Sequence, residues 1–163
     1  MTRIGVLSDT HSFIDEKILN HLKDCDVIWH AGDIGNWSVI EKLGEIAPVQ
    51  AVYGNIDDHK TRISAREDNL FIAEDMKVLM THIAGYPGRY YPRVRKMIQE
   101  KRPDIVVAGH SHILKIIYDK KYEHLHINPG AAGKSGFHKV RTLVRFNLDG
   151  KKLSNMEVVE IKR

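Results

Sequence analysis

The chain has 163 residues, a formal net charge of +4 at pH 7, ten histidines and one cysteine. The length predicts one domain over residues 1–163, and the single cysteine, Cys25, excludes an internal disulfide framework and favours a reducing compartment. No apolar stretch is long enough for a signal peptide or a membrane span, so we expect a cytoplasmic protein, and the modest charge argues against nucleic acid as its main partner.

The first two thirds of the chain alternate apolar runs with segments of helical periodicity. Five continuous apolar runs predict buried strands over residues 3–8, 26–31, 49–53, 77–81 and 105–108. Three segments with apolar residues at helical spacing predict helices over residues 13–23, 38–46 and 92–101. This alternation indicates a largely parallel sheet.

The last third has a different pattern. It predicts short strands over residues 113–118, 123–127, 140–147 and 153–161, and residues 71–73 are a further candidate strand. Asp149-Gly150 predicts a hairpin with a type I′ turn. A parallel half followed by an antiparallel half predicts an α/β fold in which two sheets pack face to face with helices outside.

Each of the five early apolar runs stops at a residue that can bind a metal. These residues are Asp9, His11, Asp33, Asn55, His82, His110 and His112. Side chains just past the carboxyl ends of parallel strands converge on one crevice. Carboxylates and imidazoles together suit borderline divalent metals, and Asn55 would bind through its carbonyl oxygen. The pattern therefore predicts a metal site, whereas histidines that merely cap loops would not explain why every early strand ends in this way.

The spacing of the candidate ligands indicates more than one ion. Asp9 and His11 are two residues apart, as are His110 and His112, so in extended segments each pair points to the same side. Seven ligands are too many for one tetrahedral site but suit two metals that share a carboxylate. Two metals about 3.5–4 Å apart are the usual arrangement for phosphoester hydrolysis.

The ordered series of motifs resembles the calcineurin-like metallophosphoesterase superfamily, and its small prokaryotic phosphodiesterase (YfcE-like) branch in particular. The motifs are Asp9-x-His11, Gly32-Asp33, Gly54-Asn55, His82, Gly109-His110-x-His112 and Asn128-Pro129-Gly130. The resemblance implies a two-sheet β-sandwich flanked by helices, a four-layer αββα fold. It implies one metal held by Asp9, His11, Asp33 and His112. A second metal would be held by Asp33, Asn55, His82 and His110, with Asp33 as the bridge.

The resemblance also implies a function. We expect a divalent-metal-dependent phosphoesterase, a phosphodiesterase before a monoesterase, in which a metal-bridging hydroxide attacks phosphorus and the catalytic residues are Asp33, Asn55, His110 and His112. Two divalent ions per monomer are expected, Mn first, with Ni, Co, Fe or Zn as alternatives. The expected partner is a small phosphoester substrate and not a membrane, while nucleic acid binding and a homo-oligomer are left open. Two other functions are left open: a non-catalytic scaffold of the retromer-subunit type, and a nuclease or nucleotide phosphatase on the same dinuclear centre.

Two departures from the family pattern bear on specificity. Ile56 stands where many members have a histidine that can protonate the leaving group, so we expect leaving groups of low pKa to be favoured. His82 is followed by Ile83-Ala84 and a loop rich in glycine, tyrosine and arginine. The segment from Arg89 to Arg95 could bind phosphate or stack on a base, or be a solvated entry to a helix.

The remaining histidines and a nearby aspartate have open roles. His30 could orient a ligand or simply end a strand, and Asp57 could hold Asn55 or a water or be a plain turn residue. His138 is a candidate for the rim of the site. Surface or sheet positions are expected for His21, His59, His124 and His126, and packing roles for Trp29, Trp37 and Cys25.

Overall fold

The computed structural model describes residues 1–163, with ten strands and four helices. In chain order they are β1 (Thr2–Leu7), α1 (Glu16–Leu22), β2 (Val27–His30), α2 (Ser38–Gly44), β3 (Val49–Ala51), α3 (His59–Ser64), β4 (Asp68–Ala73), β5 (Met76–Thr81), α4 (Pro92–Lys101), β6 (Ile105–Val107), β7 (Leu114–Asp119), β8 (His124–Pro129), β9 (Val140–Asp149) and β10 (Lys152–Lys162). None of these helices has the length and apolar character needed to cross a membrane.

The strands form two five-stranded sheets, with orders β10-β9-β1-β2-β3 and β4-β5-β6-β8-β7. The predicted α/β class, with two packed sheets and outer helices, is confirmed. The predicted division into a parallel half and an antiparallel half is wrong. Each sheet has a parallel centre, β1-β2-β3 in one and β5-β6-β8 in the other, with antiparallel strands at its edges. Apolar patterning identifies a strand but not its neighbour, so the return of β9 and β10 to the first sheet could not be read from it.

Alternating side chains on the central strands serve two different apolar layers. In β1, Ile4 and Val6 face the core between the sheets, while Leu7 packs with α1 and α2. Strand β6 repeats this, with Val107 between the sheets and Val106 against α4. Because both faces are covered, these strands read as unbroken apolar runs. The result is the four-layer order helix, sheet, sheet, helix.

The helices differ from the predicted ones in extent and number. Helix α1 begins after Asp15, whose carboxylate accepts a hydrogen bond from the Ile18 N–H at 3.1 Å, so residues 13–15 precede the helix. Helix α3 was not predicted, because it has only six residues and buries only Thr61. A helix that short shows no apolar period.

The predicted hairpin joins β9 to β10, but its turn type is different. Asp149 pairs with Lys152, so the two-residue loop is Gly150-Lys151. Only Gly150 has a positive φ, of 61°. A type I′ turn needs positive φ at both central residues, whereas a glycine at the first of them is typical of type II′. The type I′ prediction is therefore wrong.

Candidate metal centre

The seven candidate ligands lie together where parallel strands of both sheets end. Asp9 and His11 follow β1, Asp33 follows β2, and Asn55 follows β3. His82 follows β5, and His110 and His112 follow β6. Ligand atoms of two sets of side chains lie within 4.8 Å of one another, and Asp33 belongs to both. The sets are Asp9, His11, Asp33 and His112, and Asp33, His82 and His110.

The closest contacts run between imidazole nitrogens and oxygen ligands. His112 Nε2 lies 3.2 Å from Asp9 Oδ1, and His11 Nε2 lies 3.4 Å from Asp33 Oδ2. His82 Nε2 lies 3.2 Å from the same Asp33 oxygen. Asn55 contributes to the second set, because its Oδ1 lies 3.1 Å from His110 Nδ1. The structure thus brings together the groups that the sequence resemblance assigns to each of two metals, although their role as ligands stays a prediction.

The side chains converge for a different reason from the one that their spacing suggests. The prediction that each pair lies in an extended segment is wrong. Asp9 and His11 have φ of 55° and 46°, and His110 and His112 have φ of 74° and 62°. Asp33 is also left-handed, with φ of 54°. Non-glycine residues in this region are uncommon and cost of order 1–3 kcal/mol each. Five such residues in one cluster indicate that the backbone is locally strained where it directs these side chains toward one another.

Unpaired buried atoms provide the test of whether a metal fits. Asp9 Oδ1, His11 Nε2 and His82 Nε2 are buried and have no aligned hydrogen-bond partner. His82 Nδ1 lies 2.7 Å from the Ala31 carbonyl, which fixes the proton on Nδ1 and leaves the Nε2 lone pair free. Buried polar atoms without partners are costly. Oxygen and imidazole donors that converge in this way fit divalent cations.

The carboxylates and imidazoles shift one another's proton affinity. Burial lowers the pKa of His82, but the Asp33 and Asp9 carboxylates outweigh it and raise the pKa above its ordinary value. Burial raises the pKa of Asp33, but His82 and the Ile56 N–H outweigh it and lower the pKa. The Asp9 carboxylate raises the pKa of His112. The centre therefore attracts positive charge.

Asp57 connects two of the loops that carry candidate ligands. Its Oδ2 accepts hydrogen bonds from the N–H groups of Gly54 at 2.7 Å and Ile34 at 3.1 Å, and its Oδ1 accepts from Gly35 at 2.8 Å. The side chain is 4% exposed. Asp57 therefore clamps the loop of Asp33 to that of Asn55, a role that was not predicted: it holds the backbone beside Asn55 and not the Asn55 side chain.

Other buried side chains hold Asp9 and the loop that carries His110. Ser8 Oγ donates to Asp9 Oδ2 at 2.7 Å. Asn128 Nδ2 donates to the Gly109 carbonyl at 3.0 Å and so anchors the loop of His110. No pattern in the sequence identified the Ser8 contact, whereas Asn128 stood in a quoted motif.

His30 supports the centre from behind. Its Nδ1 accepts from the Gly32 N–H at 3.2 Å, and its Nε2 lies 3.0 Å from Thr10 Oγ1. Burial lowers the pKa of His30 to about 4, so the ring is neutral near pH 7. His30 ends β2, as one of the two predictions had it, and its hydrogen bonds go to Gly32 and Thr10 and not to a candidate ligand. His138, the candidate rim residue, lies with its ring centroid 5.4 Å from that of His112.

The expected surface or sheet positions fit some of the other histidines better than others. His124 and His126 do lie on β8, but both side chains are buried. The Tyr90 hydroxyl lies between the two rings, within hydrogen-bond distance of both, at 2.8 Å from His124 Nε2 and 2.8 Å from His126 Nδ1. The sheet position is therefore confirmed for these two, and each imidazole can be buried because it has a hydrogen-bond partner. His59 is exposed, as expected.

Two cavities adjoin the cluster. One, of about 370 Å³, is lined by Asn55 and His82 and by Tyr53, Arg62 and Arg93. The other, of about 310 Å³, is lined by His110. Tyr91 lines both cavities.

The two arginines of the larger cavity differ in charge balance. Arg93 is paired with Asp68 at 2.7 Å and Glu67 at 3.8 Å. Arg62 donates hydrogen bonds only to the main-chain carbonyls of Asp57 and Asn55, so no carboxylate offsets its positive charge beside the centre. An uncompensated guanidinium in this position suits an anionic substrate.

Comparison with known proteins identifies the family. The model of the calcineurin-like phosphoesterase superfamily domain matches residues 2–151. The chain therefore belongs to this superfamily, as the motifs predicted.

Individual relatives agree with this assignment. A protein of Methanothermobacter thermautotrophicus described as a "probable metallophosphoesterase" is 34% identical over 114 residues, which are 67% of this chain. The chain spans 66% of the length of that relative. A structure of Vps29 from Entamoeba histolytica with Zn²⁺ superimposes with a TM-score of 0.75 at 16% identity, covering 98% of both chains. A structure described as an archaeal phosphodiesterase has a TM-score of 0.71 at 22% identity, covering 96% of this chain and 99% of the other. Both structures show that the fold is shared.

Proposed function

We propose that this protein is a divalent-metal-dependent phosphoesterase that hydrolyses small phosphodiesters in preference to monoesters. The observation that carries the proposal is the pair of convergent ligand sets that share Asp33. Asp9, His11, Asp33 and His112 would hold one ion, and Asp33, Asn55, His82 and His110 the other, with Mn²⁺ as the first candidate. Two bound ions would supply a polarised water and neutralise the charge on the phosphate oxygens.

The chain's own residues position the reacting groups. In hydrolysis a water oxygen forms a bond to phosphorus, one P–O ester bond breaks, and the departing oxygen takes up a proton. Arg62, with no carboxylate partner, adds positive charge on the Asn55 side. The Asp57 clamp keeps the loops of Asp33 and Asn55 at a fixed separation. Such fixed geometry lets the centre act without rearranging during the reaction.

Two features favour a diester over a monoester. A diester carries an organic group on each of two oxygens, and two cavities border the second ligand set, one at Asn55 and His82 and the other at His110. Ile56 is 45% exposed at the position where many family members carry a histidine, so it supplies no proton to the leaving oxygen. Esters with good leaving groups tolerate that lack best, and the extra ionisable oxygen of a monoester would bind the two ions tightly in the ground state without raising the rate.

A substrate panel tests the proposal. The purified chain is assayed with Mn²⁺, Ni²⁺, Co²⁺, Zn²⁺ or Mg²⁺ against matched aryl phosphodiesters and phosphomonoesters, cyclic nucleotides and nucleotides. We expect kcat/KM to be highest for an activated diester with Mn²⁺. A clear preference for monoesters or nucleotides would support the nucleotide phosphatase alternative instead.

The scaffold alternative rests on the similarity to Vps29 and on one surface. Edge strand β4 exposes Leu70 by 40% and Ile72 by 65%, which is a surface that a protein partner could cover. The same panel decides between the two functions. A chain that binds metal but hydrolyses nothing in the panel would favour the scaffold.

A further inference from the structure

The smaller cavity has an aromatic and apolar wall that the metal centre does not use. We call it the tyrosine pocket; it is lined by Tyr86, Tyr91, Ile113, Lys115 and His126 and borders His110. Tyr86 is 42% exposed, Tyr91 53% and Ile113 64%. Its volume of about 310 Å³ falls within the usual range of ligand sites, roughly 300–1,000 Å³. Large apolar side chains exposed around one concave site mark a binding surface.

The floor of the pocket offers neutral polar groups. The Nδ1 of His126 lies 2.8 Å from the Tyr90 hydroxyl, which leaves its Nε2 with no hydrogen-bond partner in the protein. Burial lowers the pKa of His126 to about 4, so it presents an uncharged ring nitrogen. Ser111 Oγ accepts from the Ile113 N–H and the Asn128 amide, so its own proton remains to be donated. These groups can bond a polar edge but would not balance a buried charge.

The only cation of the pocket is held at its wall. Lys115 Nζ lies 4.4 Å from the centroid of the Tyr86 ring and has no carboxylate partner. The ring face attracts the ammonium group, so this contact keeps Lys115 and Tyr86 together at the wall. An aliphatic group could pack against the wall of the pocket but would leave His126 Nε2 without a hydrogen-bond partner.

We propose that the tyrosine pocket binds an aromatic heterocycle of the nucleobase kind, carried on one ester group of the phosphodiester. This rests on the proposed function, since His110 links the pocket to the candidate metal centre. The tyrosine rings supply stacking surface, while His126 and Ser111 bond the polar edge of the base. The substrate class is then a nucleoside-containing phosphodiester.

Two esters with one leaving group test the proposal kinetically. With Mn²⁺ present, kcat/KM is measured for thymidine 5′-(4-nitrophenyl phosphate) and for methyl 4-nitrophenyl phosphate. We expect the thymidine ester to be favoured by about tenfold, in line with the stacking of one base. Tyr86→Ala should abolish that preference, whereas Tyr86→Phe should retain it.

Tyr118→Ala is the matched control, because Tyr118 is 56% exposed and lies outside the pocket. Binding without turnover is measured by saturation-transfer NMR with thymidine and the metal-free protein, where we expect a signal on the base protons that Tyr86→Ala abolishes. If the wild type hydrolyses neither ester, the proposed function fails, and the NMR signal alone decides the pocket. Equal kcat/KM for both esters together with no NMR signal would overturn the pocket while the proposed function stands.

Discussion

Replacing Asp57 with asparagine removes a charge that holds the candidate centre together. The carboxylate accepts three main-chain hydrogen bonds, from Gly54, Ile34 and Gly35. In Asp57→Asn one oxygen becomes an NH₂ group, which faces an N–H donor and cannot accept from it. The loops after β2 and β3 then lose part of one shared anchor, while the hydrogen bond from the Ile56 N–H to Asp33 Oδ1 still joins them.

The size of the effect follows from the bonds lost. At least one hydrogen bond to a charged acceptor disappears, at about 1.5–3 kcal/mol, and the others lose their charge. We therefore expect the free energy of unfolding to fall by about 3 kcal/mol in the Asp57→Asn variant. Metal affinity should fall by about 10–100-fold, as is usual when the support of a ligand is removed.

Denaturant unfolding and calorimetric titration with Mn²⁺ measure the two effects. The control is Asp58→Asn, because Asp58 is exposed and caps α3 through the Thr61 N–H, a task that asparagine performs equally well. The clamp is refuted if Asp57→Asn stays within about 0.5 kcal/mol and twofold in Mn²⁺ affinity of wild type, a change no larger than an ordinary surface substitution. An equal loss in Asp58→Asn would refute it too.

Three further outcomes follow from the same structure. Asp33→Asn or Asn55→Ala should lower kcat by several orders of magnitude with unchanged circular dichroism, and activity within tenfold of wild type would disprove the assignment. Across aryl diesters, kcat/KM should rise steeply as the leaving-group pKa falls, because Ile56 donates no proton; a flat dependence would show that another residue is the acid. Asp15→Asn keeps the cap of α1 but leaves Arg141 without its carboxylate partner. Arg141 is 1% exposed and bonds to Asp15 at 2.9 and 3.1 Å, so the free energy of unfolding at pH 7 should fall by about 3 kcal/mol. Burial raises the pKa of Asp15, but Arg141 and the Ile18 N–H outweigh it and lower the pKa. The extra stability of the wild type over Asp15→Asn should therefore be complete above the ordinary pKa of 3.8 and disappear as pH falls through the lowered pKa. A difference in unfolding free energy that is the same at every pH would contradict this.

The sequence predicts the position of the site better than its shape. Buried parallel strands end at one edge, so runs that stop at residues such as Asp33 and His82 were enough to gather the cluster. The left-handed backbone of Asp9 was not predictable, because a spacing of two says nothing about φ when the strand has already ended.

Long-range contacts were the other missing part. Two of the three N–H partners of Asp57, Ile34 and Gly35, are distant from it in the chain. The Tyr90 hydroxyl likewise lies between two histidines that are far from it in sequence. Such contacts depend on strand order, and strand order was itself only partly predictable. The tyrosine pocket could not be predicted for the same reason, because its lining joins the loop of Tyr86 to Lys115 on β7.

We propose that seven side chains bind two ions and that Asp33 is shared between them. Elemental analysis of the Mn²⁺-reconstituted protein, after free metal has been removed, counts these ions. We expect two equivalents of manganese per chain in the wild type. Zero or one equivalent would refute a two-ion centre.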